Sequence, residues 1–169
     1  MPYDLIQTPR LKIRERIEDD LAIEQIHDKA NPELSMLDPS VGECVGPTYY
    51  TILSLEHGNR PIGICSIYNV TDKSAEIGVR IYNKDFWNKG YGKEVVNALC
   101  DVVFLFYTSV TYIKAKSPIY NVRAAACYRK CGFEQQQTKQ TIGGYEMFLF
   151  FRYRTLSHLK GANDGVFFD

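Results

Sequence analysis

Apolar and polar positions alternate over Leu11-Lys12-Ile13-Arg14-Glu15-Arg16-Ile17, the pattern of a half-buried strand, out of phase only at Glu15. Glu18-Asp19-Asp20 then puts three acids where a helix N-terminus favours them, and Leu21, Ile23 and Ile26 supply that helix's apolar positions. Asn31-Pro32 ends the helix, and Pro32, Pro39, Gly42, Gly46 and Pro47 mark residues 32–47 as a short helix and a loop. Three strands follow, Tyr49 to Glu56, Ile62 to Asn69 and Ala75 to Tyr82, joined by turns short enough for antiparallel hairpins. From Gly90 the period becomes helical: Val95, Leu99, Val102, Val103 and Phe106 fall on one face of a helix of about four to five turns. Thr111 to Lys116 reads as a short strand stopped by Ser117-Pro118. Asn121 suits the N-cap of a second helix running to about Cys131, with Gly132 as its left-handed C-terminal cap and Phe133 packing back on it. Gly143-Gly144 divides a last hairpin whose second strand, Tyr145 to Arg152, is apolar and aromatic. The order of strands, helix, strand, helix, strands predicts an α+β, mixed α/β sheet and not a doubly wound one.

Composition narrows the classes. A chain of 169 residues fits one domain, here drawn over 1–152, with 153–169 as its C-terminal tail; Val166-Phe167-Phe168 is expected to dock on this subunit or on a partner. Hydrophobic residues at 45% and charged residues at 24% exclude disorder, collagen and coiled coil. Twenty bases against twenty acids argue against nonspecific nucleic-acid binding. The five cysteines, Cys44, Cys65, Cys100, Cys127 and Cys131, lack paired zinc spacing, which predicts free thiols packed in the core and no metal. Met1-Pro2-Tyr3-Asp4 does not resemble a secretory leader, and the most apolar stretch, Val102 to Tyr107, is too short to span a bilayer. The expectation is a soluble, cytoplasmic protein without a membrane partner.

Two segments carry chemistry. Strand Ala75 to Tyr82 leads through Phe86-Trp87-Asn88-Lys89-Gly90-Tyr91-Gly92-Lys93 into the long helix. Glycines let backbone N–H groups approach a ligand, and the positive end of the helix dipole favours phosphate oxygens, so Asn88 to Lys93 is a candidate anion site. By itself the pattern is weak evidence for an anion and reads first as a tight turn. It matches neither the P-loop nor the dinucleotide fingerprint, whose third glycine is Val95 here. In the second segment, Asn121 to Phe133, Asn121 and Tyr128 lie two helical turns apart and so on the same side, with small residues between them. The bland alternative is a capped amphipathic helix with a core tyrosine.

Together, in this order and spacing, the segments resemble the GNAT superfamily of acyl-CoA-dependent N-acyltransferases, closest to the branch of ribosomal-protein N-terminal and spermidine acetyltransferases. Trp87-Asn88-Lys89-Gly90-Tyr91-Gly92 is similar to that family's Gln/Arg-x-x-Gly-x-Gly/Ala turn, and Asn121 through Phe133 to its Asn-x-x-Ala-x-x-x-Tyr-x-Lys-x-Gly-Phe segment. The resemblance implies a GNAT fold: a mostly antiparallel twisted sheet of about six to seven strands with a splayed central pair, flanked by about four helices. It implies acetyl-CoA as co-substrate, with Arg80, Ile81 and Tyr82 along the pantetheine arm. Asn88, Lys89, Gly90, Tyr91, Gly92 and Lys93 then surround the pyrophosphate, and Asn121 contacts the cofactor. It further implies direct attack of a primary amine on the thioester, a backbone N–H near Ile81 or Tyr82 for the developing oxyanion, and Tyr128 as general acid.

Departures bear on the mechanism. Trp87 replaces the family's Gln or Arg, and Lys116 stands where some members carry a glutamate base. Glu76 is therefore the first candidate base, with Glu56 and His57 behind it. The alternative is a non-catalytic acyl-CoA-binding or sensing module; a further alternative is a phosphate-ligand binder without acyl chemistry. Zero net charge hides a division. Residues 15–44 hold nine acids and two bases, net −7, and residues 102–133 hold five bases and no acid, net +5. The expectation is that the basic part receives CoA. The acidic part, Asp38 and Glu43 included, would attract a cationic acceptor, a polyamine-like molecule or a protein or peptide N-terminus. Strand Tyr145 to Arg152 and the tail are candidates for a homodimer contact.

Overall fold

The structure, a computed structural model, describes residues 3–37 and 48–156. Its elements are β1 (Asp4–Gln7), β2 (Leu11–Glu15), α1 (Glu18–Ala30), α2 (Leu34–Leu37), β3 (Thr48–Ser54), β4 (Arg60–Tyr68), β5 (Ser74–Arg80), α3 (Tyr91–Phe106), β6 (Tyr112–Pro118), α4 (Val122–Lys130), β7 (Glu134–Gln135), β8 (Gln140–Ile142) and β9 (Tyr145–Tyr153). The strands form one nine-stranded sheet in the order β1-β2-β3-β4-β5-β6-β9-β7, with β8 also on β9. The pairs are antiparallel except β5 with β6, where α3 provides the crossover that parallel strands need. The mixed α+β class and four helices agree with the sequence reading; the six to seven strands do not. The extra strands are β1, which carries no strict alternation, and the two-residue β7, too short for any periodicity. The first predicted strand also ends at Glu15, because Ile17 is the N-cap of α1. The expected tail docking by Val166-Phe167-Phe168, the acids Asp38 and Glu43, and Cys44 lie outside the described residues.

Cross-strand partners share a face. One row reads Arg14, Thr51, Ile64, Arg80 across β2 to β5; the opposite face carries Leu11, Ile13, Ile52, Cys65, Ile77 and Val79. The apolar face is covered by α3, whose Val95, Val96, Leu99 and Val103 are fully buried. Each such side chain contributes roughly 1.5–3 kcal/mol. Phe106, expected on this face, is 69% exposed, because α3 ends there; Phe104 is buried instead, under the Arg154 guanidinium. Arg154 donates to the carbonyls of Phe104, Tyr107 and Val110, closing the helix end.

The polar face is covered by α1, whose amphipathicity is inverted relative to the sequence reading. Asp20 and Glu24 are its buried residues, at 3% and 6%, while Leu21 and Ile26 are exposed. The sheet explains this. Arg14 binds Asp20 through two nitrogens, 2.7 and 3.0 Å; Arg80 binds Asp28 and Glu24; Arg16 also reaches Glu24. Asp20 further accepts from Thr51 Oγ1 and from the Ile17 N–H. A helix over a row of arginines must bury carboxylates. No helix among the described residues is long and apolar enough to cross a membrane.

Candidate active site

Pairing between β5 and β6 stops at Glu76↔Lys114. Beyond it β5 continues on β4 as far as Arg80, and β6 continues on β9 as far as Pro118, so the two strands part. A cavity of about 300 Å³ occupies the gap. Val79, Arg80 and Ile81 form one wall and Lys116, Ser117 and Pro118 the other; the first turn of α3 and the exposed side of α4 close one end, and Leu34 and Leu37 reach its rim. Pro118 fits within a strand here because the side facing β5 has no ladder to supply.

The turn before α3 is built for close approach. Asn88 and Gly90 are both left-handed, at φ 57° and 82°, and a Cβ on Gly90 would lie 3.3 Å from Arg10 Nη2. The first N–H groups of α3 have no intrahelical acceptor and carry the positive end of its dipole. Arg10 holds the turn from behind: Nε meets Glu94 at 2.7 Å, Nη1 donates to the Lys89 carbonyl at 2.9 Å, and the guanidinium lies over the Tyr91 ring. Although burial works against ionisation, Thr8 and Arg10 hold the Glu94 carboxyl below its ordinary value, so this first-turn acid is neutralised locally. Trp87 Nε1 donates to the Ile81 carbonyl at 2.7 Å, and Arg123 lies 3.4 Å from the Trp87 ring centroid. Burial pulls the Arg123 guanidinium below its ordinary value.

Of the residues expected in the site, Ile81, Asn88, Gly90, Tyr91, Gly92 and Lys93 line the cavity, as do Arg80, Asn121 and Tyr128. Arg80's guanidinium, however, is engaged by Asp28 and Glu24, which leaves its backbone for the cavity. Asn121 is bound at both ends of its amide: Oδ1 accepts from the Ala124 N–H and Nδ2 donates to the Leu37 carbonyl. It caps α4 and ties α2 to it. Tyr128 is 5% exposed, with its ring against Phe133 and Phe150.

Three expected residues do not reach the cavity. Tyr82 is fully buried on the α1 side, stacked with His27, and burial pushes its phenol up. Lys89 is exposed and offers only its carbonyl, to Arg10. Glu76 sits in the stretch where β5 and β6 are still paired, and is absent from the lining. Glu56 and His57 are also elsewhere, bonded to Tyr91 Oη and to Ser54 Oγ. In each case the residue's place depends on where pairing ends or which way the chain turns, which local periodicity does not carry.

With the Arg80 guanidinium paired on the α1 side, the charged side chains of the described lining are Lys93, Lys116, Arg123 and Lys130, all cations. Among the described residues of the acidic segment, Asp20 pairs with Arg14, Glu24 with Arg16 and Arg80, Asp28 with Arg80 and, at the surface, Glu33 with Lys84. Cys127, expected in the core, lines the cavity beside Gly92 instead. The Cys131 thiol, with Lys130, Arg123 and Lys93, holds Cys127 below its ordinary value against the effect of burial. Ser117 is 2% exposed, and its Oγ has no hydrogen-bond partner. Sequence reasoning passed over Ser117 as part of a strand stop. It also missed Gly63, where a Cβ would lie 2.4 Å from the Arg80 carbonyl; the bulge at Ile52/Leu53 is part of that packing. No group of three or more His, Cys, Asp or Glu side chains among the described residues is placed to hold a metal ion.

Comparisons agree with this geometry. The chain superposes on aminoglycoside acetyltransferase AAC(6')-Ib in complex with coenzyme A and kanamycin at a TM-score of 0.70, 20% identity, covering 91% of this chain and 99% of that one. An acetyltransferase of the GNAT family from Bacillus anthracis gives 0.71 at 17% identity, covering 90% and 98%. RimL, a ribosomal L7/L12 alpha-N-protein acetyltransferase solved with coenzyme A, gives 0.68 at 14% identity, covering 89% and 98%. No curated protein sequence matches. The family model for the acetyltransferase (GNAT) domain matches residues 11–134, most of the chain. On that match, and with the parted strands and glycine turn in the expected places, the chain belongs to the GNAT acetyltransferase family.

Proposed function

We propose that this protein binds acetyl-CoA in the gap between β5 and β6 and transfers the acetyl group to a primary amine, on a polyamine-like small molecule or a protein N-terminus. The observation that carries the reading is the parting of the two strands beside the first turn of α3, in a cavity whose described charges are all positive. The residues fit such a ligand. The turn Asn88 to Lys93 offers N–H groups and two left-handed positions for a diphosphate, and Lys93, Arg123 and Lys130 add charge. The Cβ position of Gly92 is blocked by nothing closer than Cys127 Sγ at 3.5 Å, so the backbone there is approachable. Acetyl-CoA supplies an activated thioester. Holding the amine against it replaces a bimolecular encounter, and the Tyr128 hydroxyl donates a proton to the departing thiolate, which leaves as the thiol. With Glu76 outside the lining, the reading assigns no carboxylate base and takes the amine as it arrives deprotonated from solvent. Solved proteins of this fold bind an aminoglycoside or act on a ribosomal protein, which supports an amine acceptor without choosing one.

The test is thiol release from acetyl-CoA across a panel of amines and peptides. Acceptor-dependent release is expected, falling by about 10²-fold in Tyr128→Phe with acetyl-CoA affinity retained. Binding of acetyl-CoA without acceptor-dependent release would make the protein an acyl-CoA-binding module instead.

A further inference from the structure

Ser117 stands out among the buried groups of the molecule. It belongs to the part of β6 that has left β5, and its pairing with Phe148 fixes it against β9. The pairing Ala75↔Ile113 sets the faces: Ile113, Ala115 and Ser117 alternate onto the side covered by α3 and α4, together with Phe148 and Phe150. Ile113 and Ala115 are apolar and buried at 0% and 2%. Ser117 is as buried as they are and lines the cavity, yet its Oγ is without a hydrogen-bond partner. A buried hydroxyl in that state is unfavourable unless something in the cavity completes it. Across the gap the wall at Val79 is apolar. Lys116 alternates onto the opposite face of β6 from Ser117, and the other lining cations with free side chains, Lys93, Arg123 and Lys130, belong to α3 and α4, so a neutral polar atom suits Ser117 better than a phosphate.

The geometry points to Ser117 as a positioning residue that hydrogen-bonds an amide of the acyl-pantetheine arm. This rests on the acyl-CoA reading above and names a side-chain contact within it. A hydroxyl both donates and accepts, which suits either the carbonyl or the N–H of an amide. The contact would hold the arm in the gap while the cations of α3 and α4 hold the phosphates.

The experiment compares wild type, Ser117→Ala and Ser117→Cys by melting temperature and by calorimetric affinity for acetyl-CoA and for adenosine 3',5'-bisphosphate, which lacks the arm. The expected result is a free protein of equal or higher melting temperature in both variants, since an orphaned hydroxyl has gone. Acetyl-CoA affinity falls by about 3- to 10-fold, and its stabilisation of the fold shrinks accordingly, while affinity for the bisphosphate is unchanged. Unchanged acetyl-CoA affinity would overturn the proposal, as would equal weakening of both ligands or a destabilised free protein. A wild type that binds the bisphosphate but gains nothing from the arm also overturns it. A wild type that binds neither ligand removes the acyl-CoA reading itself.

Discussion

Single residues in the turn before α3 differ in what the backbone demands of them. Gly90 is left-handed and its missing Cβ faces Arg10 Nη2 at 3.3 Å, whereas Gly92 is not left-handed and has room for a methyl group. Gly90→Ala is therefore expected to cost about 1–2 kcal/mol in urea denaturation, the left-handed penalty, and to disturb Arg10. Gly92→Ala should leave stability close to wild type. A stability loss in Gly92→Ala equal to that in Gly90→Ala would show that the turn is not held as described. The glycines, Asn121 and Tyr128 were all legible as motif positions. Their bonds were not: nothing local in the sequence says that Asn121 reaches Leu37 or that Glu94 is neutralised by Arg10.

At the scale of elements, the seam between α1 and the sheet is ionic. Burial opposes the charge on Asp20, but Arg14, the Ile17 N–H and Thr51 outweigh it and hold the carboxyl below its ordinary 3.8. A folded value below the unfolded one means the charged form adds stability above the unfolded value, and that this is lost as pH falls through the folded one. Asp20→Asn is expected to lose about 3 kcal/mol at pH 7, because Arg14 is left without its partner. The gap between variant and wild type should narrow over the acid range below about pH 4, as pH falls toward the lowered folded value. Unfolding curves across that range check it; a gap that stays constant would mean the seam is held by packing. Here the sequence reading went wrong for a physical reason. Leu21, Ile23 and Ile26 look like a core face, and only the row Arg14, Thr51, Ile64 and Arg80 on the sheet turns the helix to present Asp20 and Glu24 instead.

For the whole molecule, the charge division has a different meaning from the one its order suggests. Asp20, Glu24, Asp28 and Glu33 of the acidic segment are paired with arginines and a lysine, whereas Lys116, Arg123 and Lys130 of the basic segment line the cavity. On the proposed acyl-CoA reading, those three cations are the source of attraction for its phosphates. Arg123→Gln is expected to weaken acetyl-CoA binding by about tenfold, with a smaller loss at 1 M salt, where the Debye length is about 3 Å. Measuring affinity against salt for both proteins tests this, and parallel salt curves would mean Arg123 meets no phosphate.

Hydrophobic periodicity, turn residues and the spacing of two motifs determined the element order, the class of sheet, the glycine turn before α3 and the positions of Asn121 and Tyr128. These depend on interactions within a few residues of each other, which a linear pattern records. Tertiary structure alone decided where β5 and β6 part, and so which residues face the cavity: Ser117, Cys127 and Arg123 came in, while Glu76, Tyr82 and Lys89 stayed out. It also decided which face of α1 is buried. The reason is the same in each case: register and strand separation are set by partners distant in the chain, such as Phe148 for Ser117 and Arg80 for Glu24, and their geometry has no local signature.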